Sequence, residues 1–159
     1  MNLEEYELKM PENCNIVLGH AHFIKTAEDL YEAMVSTSAN VRFGIGFSEA
    51  SQDRLVRLEG NDEGLKKLAA EAIMGIGCGH TLIYMKDAFP VNFLGRIKEV
   101  PEVCRIICAT ANPLKVVIGR SEQGGAILGV VDGAAPAGIE KDGDVAARRK
   151  FLRDIGYKK

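Results

Sequence analysis

The sequence has no tryptophan, only six phenylalanines and four tyrosines, and no long apolar run. A membrane-spanning helix needs ~20 consecutive apolar residues, and no segment approaches that length. The first ten residues, MNLEEYELKM, carry acidic side chains where a secretory signal peptide would carry basic ones. These features argue against a helical membrane protein, and we expect a cytoplasmic location.

An excess of charge of one sign is missing as well. The formal net charge is −2 at pH 7, and the isoelectric point is about 5.9. Proteins that bind a nucleic-acid backbone or an anionic membrane surface usually present a strong positive field. We therefore expect neither nucleic acid nor membrane among the partners of this chain.

Cysteine is scarce, and its spacing does not build a zinc site. The four cysteines are Cys14, Cys78, Cys104 and Cys108. Cys104 and Cys108 form a C-x3-C pair, but no second Cys/His pair follows to complete a zinc site. Both lie in the apolar run VCRIIC, where a four-residue offset predicts that they share one face of a strand. Buried, reduced thiols are favoured over a metal or redox site, and no tightly bound cofactor is expected.

The common phosphate-binding and catalytic motifs are also absent. The chain has no GxxxxGK[ST] loop and no GxGxxG sequence between a strand and a helix. The protein-kinase motifs and the G-x-S-x-G elbow are missing too. Any phosphoryl transfer by this chain must therefore use a different apparatus.

What the sequence does contain is an alternation of short strands and helices. At 159 residues it has the length of one domain, spanning residues 1–159. Helices are predicted to begin at Thr26, Asp62, Pro90 and near Asp144. Strands are predicted at 15–19, 41–47, 54–60, 81–85, 103–109, 114–119 and 126–131, with 41–47 pairing with 54–60.

The turns between the last three strands predict the type of sheet. Asn112-Pro113 and Gly124-Gly125 mark short connections. Short connections favour antiparallel neighbours, since a parallel return needs a longer crossover. The expected fold is α/β (mixed α+β), with a mixed sheet, an antiparallel C-terminal meander and about four flanking helices.

Three glycines fall inside the predicted strands, at Gly44, Gly46 and Gly129. A glycine in a strand weakens it but lets another backbone or a ligand approach closely. Close packing and ligand access explain these glycines equally well at the level of sequence.

The segment GHAHFIKTAED, residues 19–29, is the most suggestive for chemistry. It passes from the end of a strand to the start of a helix, a common position for ligand sites in α/β proteins. Thr26 and Asp29 form a T-x-x-D capping pattern, and the first N–H groups of a helix attract anions. With the charge of Lys25 and the imidazole of His22, the segment predicts a phosphate site. The alternative is that Thr26 only caps the helix and His22 is packed structurally, and the local pattern alone favours it.

Other polar residues near predicted strand ends are weaker candidates. His80 follows Gly77-Cys78-Gly79 at a turn, where a structural role is the simpler interpretation. His20 and His22 have strand spacing, but two histidines without a carboxylate are a weak metal signal. Four carboxylates are candidates for holding Mg²⁺ against phosphates, although most such groups are only surface charges: Glu49, Glu59, Asp62 and Asp132.

Six longer blocks carry a resemblance to a known family. They are HFIKTAEDLYEAM (22–34), FGIGFSEAS (43–51), RLVRLEGND (54–62), AFPVNFLGRIKEVPEVCRIICATANP (88–113), GAILGVVDG (125–133) and RRKFLRDIGYK (148–158). In this order they resemble the adenosine-specific kinases of archaea and bacteria. Two positions depart from the family's common pattern: His20-Ala21 stand where Gln-Ser is common, and Ser48 where cysteine is common.

The resemblance implies an α/β domain that binds adenosine or AMP, forms a homo-oligomer (trimer or higher) and carries a phosphoryl group on a histidine. The HFIKT segment assigns that group to His22 first, with His80 as second choice and Lys25 stabilising the phosphate. The implied substrate-binding residues are Thr26, Phe47, Glu49, Asn112 and Asp132. Among them, Glu49 or Asp132 would hold Mg²⁺ or activate the adenosine hydroxyl, and Asn112 would contact ribose or base. Mg²⁺ is expected only together with a nucleotide phosphate donor.

Two other functions remain open at the level of sequence. The first is a non-catalytic adenosine or AMP sensor, in which phosphohistidine is a regulatory mark. The second is a scaffolding oligomer without a small ligand. A kinase and a sensor need the same nucleoside contacts, so only turnover separates them.

Overall fold

Eight strands and four helices make up the fold in a computed structural model that describes all 159 residues. The strands are β1 (Asn2–Leu8), β2 (Cys14–Ala21), β3 (Arg42–Ser48), β4 (Val56–Gly60), β5 (His80–Lys86), β6 (Val103–Thr110), β7 (Leu114–Arg120) and β8 (Gly125–Asp132). The helices are α1 (Thr26–Thr37), α2 (Glu63–Ile76), α3 (Leu94–Lys98) and α4 (Asp142–Asp154), with a 3-10 turn at Pro90–Asn92. None of the helices is both long and apolar enough to cross a membrane.

The strands form two antiparallel sheets. One has five strands in the order β4-β3-β5-β2-β6, and the other has three in the order β1-β7-β8. The α+β class, the four helices, the β3–β4 pair and the β7–β8 hairpin are confirmed. The expected mixing of parallel and antiparallel pairs is not found, because every pair is antiparallel.

The three-strand C-terminal meander is also corrected. Strand β6 pairs with β2 in the larger sheet, whereas β7 is already flanked by β1 and β8. The short turn at 111–113 therefore links two sheets instead of two neighbouring strands. Turn length constrains the direction of the next strand, but it does not decide which sheet edge that strand joins.

Helix α2 packs between the two sheets. Asp62 caps the helix, since its side chain accepts a hydrogen bond from the Leu65 N–H at 3.0 Å. One buried cluster joins the apolar stripe of α2 to both sheets, and it includes Leu18, Leu65, Ala69, Ile73, Ile76, Leu82, Tyr84, Val116 and Ile118. A second cluster covers the opposite face of the larger sheet with α1 and α3, and it includes Leu30, Met34, Phe43, Ile45, Ile83, Phe93 and Ile97.

Two of the strand glycines are explained by this packing. A Cβ atom at Gly44 would overlap the backbone of Leu65 and Lys66, and one at Gly46 would lie 3.0 Å from the carbonyl oxygen of Ala69. Helix α2 therefore rests directly on the backbone of β3. Gly129 differs, because a Cβ there would meet nothing within 4 Å.

The expectation that Cys104 and Cys108 share a buried face is wrong for Cys104, which is exposed. The β2–β6 ladder shifts register between Leu18 and Gly19 and again between His20 and Ala21. These irregularities change the alternation of side chains between the two cysteines. Cys108 is half-buried, and burial raises the pKa of its thiol to about 11. All four cysteines are free thiols.

Candidate functional site

Three histidines come together where β2 ends and β5 begins. His20 and His80 are direct partners in the β2–β5 register, and their ring centroids are 5.4 Å apart. His22 lies two residues beyond His20, and its backbone N–H donates a 3.0 Å hydrogen bond to the carbonyl oxygen of Glu102. The end of β2 therefore places two of the imidazoles beside the start of α1.

A cavity of about 300 Å³ opens at this end of the sheet. Its volume lies at the lower end of the range typical of small-molecule sites. Two histidines, two phenylalanines and a polar loop contribute to the lining, which consists of His20, Ala21, His22, Phe23, Ile24, Phe47, Ser48, Glu49, Ala50, Ser51, Gln52 and Gly79. The chain thus brings the predicted residues His22, Phe47 and Glu49 to one cavity.

His80 lies behind this cavity and does not line it. Its side chain is 3% exposed, and Nδ1 has no hydrogen-bond partner in the chain. Burial, with a smaller effect of His20, lowers the pKa of His80 to about 4. Burial, then Arg105 and then His22 lower the pKa of His20 as well. Both imidazoles are therefore neutral at pH 7.

The capping role expected of Thr26 is corrected. Helix α1 begins at Thr26, but the cap position is Lys25, which makes no side-chain capping bond. The hydroxyl of Thr26 donates to the carbonyl oxygens of His22 at 3.0 Å and Phe23 at 2.6 Å. Thr26 is fully buried, so its side chain closes the tight turn before the helix and is not available to a phosphate.

Lys25 also departs from the predicted phosphate site. Its ammonium forms ion pairs with Asp29 and with the buried carboxylate of Glu102, and it does not line the cavity. Asp29 first, and then Glu102, raise the pKa of Lys25. Of the three residues predicted to surround a phosphate, only His22 faces the cavity, because the other two hold the turn that carries it.

The carboxylate of Glu49 organises the rim of the cavity. Oε1 accepts hydrogen bonds from the Arg57 guanidinium at 2.8 and 2.9 Å, and Oε2 accepts one from the Leu55 N–H at 3.1 Å. The Leu55 N–H first, and then Arg57, lower the pKa of Glu49. Both oxygens are engaged within the chain, and no group of three or more His, Cys, Asp or Glu side chains is arranged to hold a metal.

Asn112 and Asp132 lie at the other end of the sheet. The Thr110 hydroxyl and the Asn112 amide donate to Oδ1 of Asp132, at 2.7 and 3.1 Å. Thr110 pairs with Ile16, four residues before His20 on β2, which corresponds to about 13 Å along the strand. Because β6 runs antiparallel to β2, its C-terminal end is remote from His22. The expectation that these two residues join His22 is not met within one chain.

Two residues that support the site were not predicted from the sequence. The Ser48 hydroxyl donates to the Gly77 carbonyl oxygen at 3.0 Å and accepts from the His80 N–H at 3.3 Å, so it ties β3 to the turn that carries His80. Glu102 anchors both Lys25 and the backbone of His22. Both residues lie in blocks that resemble the family, but nothing in the sequence indicates that the carboxylate of Glu102 is buried.

Comparisons with known proteins bear on the family and the fold. The family described as "Adenosine specific kinase" matches residues 6–158. The chain belongs to the adenosine-specific kinase family. Among solved structures, the PH1918 protein from Pyrococcus horikoshii OT3 is 36% identical and superimposes with a TM-score of 0.94, covering 99% of this chain and 98% of that one. No curated protein matches the chain.

The match to the adenosine-specific kinase family spans nearly the whole chain, and it includes the segments that form the cavity: β2, the turn before α1 and the rim loop after β3.

Proposed function

We propose that this chain is an adenosine kinase that transfers a phosphoryl group through a phosphohistidine at His22. The observation that carries the proposal is the contrast between two histidines. His22 is exposed and lines the cavity, whereas His80 is 3% exposed and lies behind it. A nucleophile has to reach the phosphorus atom directly, so His22 is preferred over His80.

The reaction has two steps. A ring nitrogen of His22 attacks the terminal phosphorus of a nucleoside triphosphate, and the bond to the diphosphate leaving group breaks. The 5′-oxygen of adenosine then attacks the same phosphorus, the N–P bond breaks and AMP forms. Mg²⁺ enters with the donor, bound mainly to its phosphate oxygens.

The proton of the adenosine hydroxyl needs an acceptor during the second step. Asp132 lies at the far end of the sheet, and both oxygens of Glu49 are engaged by Arg57 and Leu55. His20 lines the cavity, and its lowered pKa keeps it neutral at pH 7. We therefore propose that His20 accepts this proton. At this position the chain differs from the common family pattern.

A non-catalytic adenosine sensor is the second candidate. Two cations near the cavity, Lys25 and Arg57, are committed to ion pairs. Catalysis of phosphoryl transfer depends on stabilising phosphate charge, so the engagement of these two side chains favours slow or single turnover. Phosphohistidine would then be a stable mark.

The test is to incubate the protein with γ-labelled ATP, Mg²⁺ and excess adenosine, and to measure both AMP and acid-labile label on the protein. His22→Ala and His80→Ala are compared with the parent. We expect AMP in large molar excess over protein, with both AMP and label lost in His22→Ala.

Each other result has a defined meaning. Loss only in His80→Ala would move the nucleophile to His80. Label without AMP turnover would support the sensor, and neither label nor AMP would contradict both proposals. A homo-oligomer of three or more chains and a cytoplasmic location stay predictions.

A further inference from the structure

Arg105 is a cation beside the histidines that no carboxylate of the chain engages. It lies on β6 and is the direct partner of His20 in the β2–β6 register. Side chains of directly opposed residues project to the same face of a sheet, with Cβ atoms about 4.5–5.5 Å apart. Arg105 is also exposed. Its side chain therefore lies next to an imidazole that lines the cavity, and it remains open to solvent.

The lack of an ion pair sets Arg105 apart from most arginines of this chain. Five arginines pair with carboxylates, namely Arg42, Arg57, Arg96, Arg120 and Arg148. After burial, Arg105 is the next cause of the lowered pKa of His20, and after burial and His20 it contributes to the lowered pKa of His80. A free guanidinium close to two neutral imidazoles is suited to an anionic ligand, because it offers five N–H donors and has no counter-ion.

The backbone around this pair is irregular. The β2–β6 ladder shifts register between Leu18 and Gly19 and again between His20 and Ala21, on either side of the stretch that contains the His20–Arg105 pair. Bulges re-aim side chains and are over-represented next to active sites. A Cβ atom at Gly19 would lie 2.9 Å from the carbonyl oxygen of Arg105, so glycine lets the two strands approach closely here. The local backbone thus brings β6 close to the histidine end of β2.

The phosphate groups of a donor have to lie at this end of β2. Their terminal phosphorus must contact His22, whose backbone N–H is bonded to Glu102, three residues before Arg105. The cavity of about 300 Å³ is small, and Arg105 does not line it. A nucleoside is large enough to fill such a cavity, so the phosphates of a nucleotide extend past its rim. Strand β6 flanks β2 on the side opposite β5, which places Arg105 where it can meet them.

We propose that Arg105 binds the phosphate oxygens of the nucleotide donor while His22 attacks its terminal phosphorus. This role rests on the proposed function, in which the N–P bond to His22 forms as the P–O bond to the diphosphate breaks. Arg105 gives up no proton, because a guanidinium stays protonated in proteins. It stabilises the negative charge of the phosphate oxygens, whereas Lys25 and Arg57 are held by carboxylates.

The first measurement is calorimetric binding of adenylyl imidodiphosphate, a non-hydrolysable ATP analogue, with Mg²⁺, and separately of adenosine. Arg105→Met removes the guanidinium, and Arg105→Lys keeps the charge without the bidentate geometry. Arg149→Met is the matched control, because it removes an exposed arginine of α4. We expect Arg105→Met to bind the analogue about tenfold or more weakly, with partial recovery in Arg105→Lys. Adenosine has no phosphate, so its affinity should stay within about twofold of the parent in every variant.

The second measurement is the rate at which γ-labelled ATP places acid-labile label on the protein. Removing one preorganised donor to a transition state costs about 10²–10³ in rate, so Arg105→Met should be labelled about a hundredfold more slowly. Arg149→Met should be labelled like the parent. Circular dichroism checks that each variant is folded.

Five outcomes would overturn the inference. They are a parent that does not bind the analogue, unchanged analogue affinity in Arg105→Met, an equal loss in Arg149→Met, an equal loss of adenosine affinity in Arg105→Met, and an unchanged labelling rate in Arg105→Met where the parent is labelled. If Arg105→Met loses analogue affinity but the parent forms neither label nor AMP, the kinase reaction is contradicted while the phosphate contact stands.

Discussion

The imidazoles of His20 and His80 face each other across β2 and β5, with ring centroids 5.4 Å apart. Their environments differ in access to the cavity, which His20 lines and His80 does not. The outer imidazole can exchange a proton with a ligand, whereas the inner one is buried, and the backbone N–H of its residue donates to the Ser48 hydroxyl. Of the two, His20 is thus placed to contact a ligand, whereas His80 has a structural position.

The buried member of this pair makes stability depend on pH. In the folded chain the pKa of His80 is about 4, below its ordinary value of 6.5. Between these values the unfolded chain binds more protons than the folded one, so stability falls as the pH drops from 6.5 towards 4. We expect the free energy of unfolding to decrease by about 2 kcal/mol between pH 7 and pH 5 on account of this group.

Urea unfolding at a series of pH values measures that decrease. His80→Gln removes the titrating group and is expected to flatten the curve between pH 7 and pH 5, whatever its stability at pH 7. His20→Gln should keep most of the slope. An unchanged slope in His80→Gln would show that another group is responsible.

The second prediction concerns the contact of α2 with β3. Gly44→Ala introduces a methyl group into the backbone of Leu65 and Lys66, where neither neighbour can rotate away. Overpacking of this kind costs about 1–3 kcal/mol of unfolding free energy.

Gly129→Ala is the matched control, because a methyl group there meets nothing within 4 Å. Its effect should be within about 0.5 kcal/mol. Denaturant unfolding of both variants gives the comparison, and equal stabilities would mean that α2 does not rest on Gly44.

Local patterns in the sequence were sufficient to predict much of the fold. The Asp62 cap and the apolar stripe of α2 lie in one stretch of chain, so both the start and the end of this helix were predictable. The pairing of β3 with β4 was predictable for the same reason. The place of β6 was not, because pairing with β2 joins residues about ninety positions apart, and no local pattern encodes it.

The site was predictable only in part, for a similar reason. His22, Phe47 and Glu49 lie in blocks that resemble the family, and the structure brings them to one cavity. Thr26 has the residue type of a helix cap, but the turn from Phe23 to Thr26 directs its hydroxyl back to two carbonyl groups. Glu102 was missed because burial and its ion pair with Lys25 arise only in the folded chain.

The third prediction concerns the ion pair of Lys25 with Glu102. Glu102 is 3% exposed, and its Oε2 atom has no hydrogen-bond partner. Lys25→Met therefore leaves a buried carboxylate without its counter-ion, which is strongly unfavourable. We expect a lower urea midpoint for Lys25→Met than for Asp29→Asn, which removes the half-buried partner of the same lysine.

A double variant tests whether the charge of Glu102 causes the loss. Glu102→Gln in the Lys25→Met background removes the unpaired charge and should recover part of the midpoint. If the double variant is less stable than Lys25→Met, the ion pair is not the source of the effect.

The last prediction separates the two roles of Phe23. This residue has a φ of 77°, a left-handed conformation that is strained for a bulky side chain, while its ring is 61% exposed at the cavity. An exposed aromatic ring in such a position is suited to stack on a planar base.

Phe23→Gly and Phe23→Ala both remove the ring, so both should weaken adenosine binding by about tenfold in a calorimetric titration. Glycine tolerates the left-handed conformation and alanine does not, so Phe23→Gly should be more stable than Phe23→Ala by about 1 kcal/mol in urea unfolding. Ile24→Ala, at the neighbouring cavity position with an aliphatic side chain, controls for loss of apolar surface. Unchanged affinity in both Phe23 variants would remove the ring from the nucleoside site, and equal stabilities would show that the turn can relax.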